Sequence, residues 1–126
     1  MIRTFTIKEI EQAFLAEDKR LGKLEETKEG GHPFITCTNC ARFIKEKFAP
    51  KGKIMGYFTE DNPTALIGQD AGGHDFLLTD DGYIIDMWPK HIEQMKNIPV
   101  YVDTKERPDL VAKYYGDKTK WKEVKK

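Results

Sequence analysis

Gly73-His74-Asp75-Phe76-Leu77-Leu78-Thr79-Asp80-Asp81-Gly82-Tyr83-Ile84-Ile85-Asp86-Met87-Trp88 sets two apolar-rich runs on either side of a polar triplet that ends in glycine. Runs of this kind around a turn signal predict a β-hairpin, here with strands over 74–79 and 83–88. The triplet Asp80-Asp81-Gly82 suits a three-residue loop, a type I turn closed by a left-handed glycine. That loop opposes Thr79 to Tyr83, so position 76 faces 86 and position 74 faces 88. His74, Phe76, Ile84, Asp86 and Trp88 then lie on one face of the sheet. A two-residue loop of Asp81-Gly82 would place Asp86 on the face opposite His74. The loop length therefore decides whether an imidazole and a carboxylate can meet.

Upstream, Thr36-Cys37-Thr38-Asn39-Cys40-Ala41-Arg42-Phe43-Ile44 predicts a helix running to about Phe48 and ended by Ala49-Pro50-Lys51-Gly52. Two registers compete. With Thr36 as N-cap, Cys37 is the first helical residue, and Cys40, Ala41, Ile44 and Phe48 follow on one buried face. With Asn39 as N-cap, Cys40 leads, but Lys47 falls on the apolar stripe. The first register is cleaner. It makes Cys37 the candidate nucleophile and Cys40 a small core residue one turn below. Amides at a helix N-terminus and a neighbouring imidazolium both favour the thiolate, the form that attacks.

These residues resemble a known group. Cys37-Thr38-Asn39-Cys40-Ala41, then His74-x-Phe76 and Gly82-Tyr83-Ile84-Ile85-Asp86-x-Trp88-Pro89, look like the two halves of papain-like folds, and most resemble bacterial papain-fold toxin domains. NlpC-type peptidases and transglutaminase-like enzymes belong to the same group. The resemblance covers residues 34 to 90. It implies an α+β, papain-like fold in which a nucleophile helix packs on a small antiparallel sheet. It also implies Cys37 as nucleophile, His74 as general base and Asp86 as the residue that fixes the imidazole tautomer. The implied activity is that of a cysteine hydrolase or acyltransferase acting on an amide bond, as peptidase, deamidase or transamidase. A toxin or effector role, a protein or peptide substrate and a protein inhibitor as partner follow from the same resemblance. No cofactor and no metal enter this chemistry. Papain's glutamine upstream of its cysteine has no counterpart just before Cys37, so the oxyanion would rest on the Cys37 amide and a second donor, with Gln69 a candidate.

The rest of the chain is read from local signals. Thr6 with Glu9 forms a capping-box pattern, opening a helix whose apolar stripe is Ile7, Ile10, Phe14, Leu15, Leu21 and Leu24. Residues 27–33 form a loop, 53–58 a strand, 59–73 an irregular segment and 100–102 a further strand. Asp109 to Tyr115 reads as helical, and Trp121 as an anchor for the tail. His32 and His91 read as surface residues. At 126 residues the chain is expected to form a single domain, 1–126, with an N-terminal helical segment over 1–30 and a catalytic core over 34–90.

Composition narrows the function classes. The 21 basic and 21 acidic residues balance, which argues against nucleic acid or an anionic membrane as main partner. The start of the chain lacks the apolar run of a signal peptide, and no stretch approaches the ~20 apolar residues that span a bilayer. A cytoplasmic protein is expected, with non-classical export left open. The two cysteines, three positions apart, make a poor staple and read as reduced. Two other classes compete with the hydrolase. One is a thioredoxin-like redox domain using Cys37-x-x-Cys40, with Pro33 to Thr36 as the strand before it. The other is a zinc-binding interaction module that would add ligands from His32, His74 and His91.

Overall fold

The computed structural model describes residues 6–25, 37–69, 72–91, 95 and 97–124, with no side-chain description at 18, 21–25 and 91. Helix α1 (Ile7–Glu25) opens on the capping box expected of it. Glu9 N–H donates to Thr6 Oγ1 at 3.0 Å, and Thr6 N–H reaches back to Glu9 Oε1 at 3.3 Å. Only part of the expected stripe is core. Ile10 and Phe14, one turn apart, are buried, whereas Ile7 is 39% and Leu15 45% exposed. Ile7 sits in the first turn at the free end, and Leu15 is rotated about 100° from Phe14, off the buried face. Leu21 and Leu24 fall outside the described side chains.

Helix α2 (Cys37–Phe48) buries Cys40, Ala41 and Ile44, the face of the first register, while Phe48 is half-buried and Thr36, the expected N-cap, lies outside the described residues. Its C-terminus is closed by Lys45, whose ammonium donates to Pro50 O at 2.8 Å and Gly52 O at 2.7 Å. A cation on the last carbonyls complements the helix dipole. Strands β1 (Lys53–Phe58), β2 (Gly73–Leu78), β3 (Tyr83–Ile85), β4 (Tyr101–Asp103) and β5 (Lys122–Glu123) form an antiparallel sheet in the order β4-β3-β2-β1-β5. The described architecture is thus α+β, with α2 packed on β2 and β1.

The hairpin has the three-residue loop. Leu77 pairs with Ile85 and Leu78 with Ile84, Thr79 N–H donates to Tyr83 O, and Gly82 adopts φ +92°. The second strand is shorter than the expected span to Trp88. It ends at Ile85, because Asp86 Oδ1 accepts the Trp88 amide at 3.3 Å and turns the chain into the short helix α3 (Trp88–His91), with Pro89 in its first turn. Past the Leu77–Ile85 pair, β3 leaves β2 and the chain follows β4, with Asp86 N–H donating to Val100 O at 2.9 Å. The sheet therefore splits at one end, between the start of β2 and residues 86–88.

Beyond β4, a short helix α4 (Pro108–Leu110) runs into a π-helical turn, Val111–Tyr115, where an ordinary helix was expected. The irregular segment after β1 is tied to this turn. Ile67 N–H donates to Tyr114 O, and Ala65 and Ile67 are buried. Trp121 anchors the tail as expected, with its indole against Phe76 at 4.8 Å. Among the described residues no helix is long and apolar enough to cross a membrane.

Candidate active site

The split end of the sheet is where the sequence candidates meet. Both cysteines sit against it. Cys37 Sγ accepts the Asp75 amide on the β2 side at 3.2 Å. Cys40, one turn down α2, lies near the backbone amides of Met87 and Trp88 on the other side. Thr38 fastens the head of the helix with a hydroxyl bond to Asp75 Oδ2. Asp75 is thereby a docking point for α2, and its carboxylate is not the partner of His74.

His74 Nε2 and Asp86 Oδ2 are 2.6 Å apart, and the two side chains are 0% and 3% exposed. The face shared through the hairpin register brings them together, as the three-residue loop requires. Aromatic rings enclose the imidazole, with Trp88 at 5.1 Å, Phe76 at 5.9 Å and Tyr57 at 6.3 Å between centroids. With Nε2 committed to Asp86, the other ring nitrogen, Nδ1, is left for chemistry. Nδ1 is buried and makes no hydrogen bond of good geometry. Cys37 is nevertheless close enough for its sulfur to bear on the imidazole's proton affinity.

The electrostatics separate the two thiols. Burial alone would lower the His74 pKa. The charge and hydrogen bond of Asp86, joined by Cys37, outweigh that and raise it from 6.5 to about 10. The raised value favours the charged imidazolium, bound to the Asp86 carboxylate. Cys40 lies in the core, 1% exposed. Burial first, then the nearby Asp86 charge, push its pKa well above the usual thiol value, only partly offset by the Met87 and Trp88 amides. Cys37 is partly exposed. Of the two, Cys37 is the one that a reagent can reach and that a cation attends.

Two contributors have no signal in the sequence. Tyr115 Oη donates to Asp86 Oδ2 at 2.8 Å from a fully buried ring. Asn62, also buried, donates to Tyr115 O at 3.1 Å and accepts the Asp117 amide at 2.9 Å. Both contacts join residues far apart in the chain, and no local spacing announces them. Gln69 does not serve as the second oxyanion donor. Its amide group is spent within its own loop, on Ala65 O at 2.9 Å and Pro63 O at 3.4 Å. His32 and the side chain of His91 fall outside the described residues. Beside Asp75 the surface opens into a cleft of about 220 Å³, bordered by Phe58, Asp61, Lys120, Lys122 and Val124.

No family model, curated protein or solved structure matches the chain.

Proposed function

We propose that this protein is a cysteine-dependent acyl-transfer enzyme of papain-like fold, acting on an amide bond through Cys37, His74 and Asp86. One observation carries the reading. A buried imidazole is pinned through Nε2 by a buried carboxylate, its other nitrogen is left without a hydrogen bond, and the sulfur of a partly exposed cysteine on the neighbouring helix, bonded to the Asp75 amide next in the chain, acts on the same ring. A structural histidine needs no such asymmetry, whereas a general base does.

In this mechanism the Cys37 sulfur forms a bond to the substrate carbonyl carbon, and the carbonyl π electrons move to oxygen. First-turn amides of α2 lack intrahelical partners and are the nearest source of oxyanion donors. The tetrahedral adduct collapses as the C–N bond breaks, and the leaving amine takes the proton from His74 Nδ1. Neutral His74 then removes a proton from water or an amine, which attacks the thioester and releases Cys37. Asp86 stays ionised and holds the ring in one tautomer. Peptidase, deamidase and transamidase share these steps. The cleft beside Asp75, the residue whose amide bonds Cys37 Sγ, offers room for a peptide or protein side chain and has exposed Phe58 on its border. A toxin or effector role with an inhibitor protein belongs to the same proposal, carried by the motif resemblance over residues 34 to 90.

The rival readings fare less well on the described residues. A thioredoxin-type site needs a parallel strand leading into the CxxC helix. The described sheet is antiparallel throughout, and residues 33–36 lie outside the described part. The zinc reading draws on His32 and His91, whose side chains lie outside the described residues, and among the described residues His74 is bound to Asp86.

A small activated ester such as p-nitrophenyl acetate tests the proposal without knowledge of the substrate. The protein is expected to release a burst of p-nitrophenol and gain one acetyl mass on Cys37. Cys37→Ala should abolish both, and Cys40→Ala should retain them. An acetyl group spread over surface lysines, with no burst, contradicts the reading.

A further inference from the structure

We propose that Tyr115 is a positioning residue of the same site, a fourth member that fixes Asp86 and through it the imidazole. The inference rests on the acyl-transfer reading and deepens it. Asp86 Oδ2 receives two donors, His74 Nε2 at 2.6 Å and Tyr115 Oη at 2.8 Å. The Trp88 amide holds Oδ1 at 3.3 Å. A carboxylate buried with fewer partners would turn toward whichever donor remained, or take up a proton. With the phenol on the oxygen that faces the imidazole, only one carboxylate orientation satisfies all three donors. Burial and the Asp86 charge keep the phenol proton on oxygen well above the usual pH for tyrosine, so Tyr115 stays a donor throughout the working range.

The chain around Tyr115 is built to aim its hydroxyl. The π-helical turn, a form that recurs at functional sites, ends on this residue. The ring packs on Phe76 at 4.8 Å. Its carbonyl is gripped from two sides, by Asn62 Nδ2 at 3.1 Å and Trp121 Nε1 at 3.0 Å. Gly116 follows with φ +71°, and a side chain there would strike the Asn62 amide. A tyrosine that only filled the core would need none of this hold on its backbone.

Tyr115→Phe keeps the ring and removes the hydroxyl. Two readouts separate positioning from packing. The His74 Nε2 proton, held in a short buried bond, should give a slowly exchanging downfield NMR signal in the wild type. In Tyr115→Phe that proton should exchange about tenfold faster, and iodoacetamide should alkylate Cys37 about tenfold more slowly at pH 6, the scale of one hydrogen bond to a buried charge. Trp121→Phe removes one grip on the Tyr115 carbonyl and leaves the hydroxyl. It should move both readouts the same way by roughly two- to threefold, and it serves if Tyr115→Phe does not fold. Wild-type exchange and alkylation in the folded variants overturn the Tyr115 role alone. Alkylation of the wild type that is indifferent to His74→Ala overturns the acyl-transfer reading, and the Tyr115 role falls with it.

Discussion

His74 is the residue on which the proposed chemistry and the pH dependence of stability both turn. Its folded-state pKa of about 10 lies above its ordinary 6.5, so the folded protein binds a proton there more tightly than the unfolded chain does. The stabilisation is therefore complete below about pH 6.5 and is lost as pH rises through about 10. Urea midpoints should fall between pH 6.5 and pH 10. Asp86→Asn should flatten that fall, because the charge that holds the proton is gone. An equal slope in wild type and Asp86→Asn would mean that other groups carry the pH dependence. Cys37 and Cys40 show how the residue scale was legible. The i, i+3 relation from Cys37 to Cys40 is a helical property, and the apolar stripe chose the register. The partners of Asp86 were only partly legible. His74 is reached through one hairpin, and the hairpin loop gives its register, whereas Tyr115 arrives from the far end of the chain.

Elements built from local signals behave as those signals dictate. The Thr6–Glu9 box and the Asp80-Asp81-Gly82 loop are short-range interactions, so spacing alone specifies them. Gly82 holds φ +92°, and Gly82→Ala should cost about 1 kcal/mol, read from urea unfolding, through strain at that angle. Burial is harder to read from an amphipathic pattern, because it depends on where the neighbouring elements stop. Ile44 on α2 is 0% exposed, while Leu15 on α1 is 45% exposed. Ile44→Ala should lose about 2–5 kcal/mol, and Leu15→Ala about 0.5 kcal/mol or less. Comparable losses at both positions would show that α1 buries a wider face than the structure gives it. The early end of β3 was legible only in part. Pro89 signals a break, but the turn itself is made by Asp86 accepting the Trp88 amide.

At the scale of the molecule, the sheet splits where β3 leaves β2, and four segments distant in sequence meet there. They are the head of α2, the start of β2, the turn after β3, and the π-helical turn near the C-terminus. The first three lie within the stretch whose pattern is legible. The fourth reaches Asp86 from outside it, which is why the sequence pointed to Cys37, His74 and Asp86 as candidates and gave no sign of the Tyr115 contact. Trp88 packs on His74, and Trp121 packs on Phe76 and Tyr115, so both indoles report on this meeting point. Their fluorescence and far-UV circular dichroism should follow one urea transition, since a site assembled from both ends of the core cannot melt piecemeal. Two separated transitions would detach the C-terminal segment from the site. The convergence of sulfur, ring and carboxylate is tested most directly by site-resolved mass spectrometry of iodoacetamide labelling at pH 6. The account predicts that Cys37 is modified much faster than Cys40 and that His74→Ala slows Cys37 sharply. Slow and equal modification of both cysteines, unchanged by His74→Ala, would contradict it.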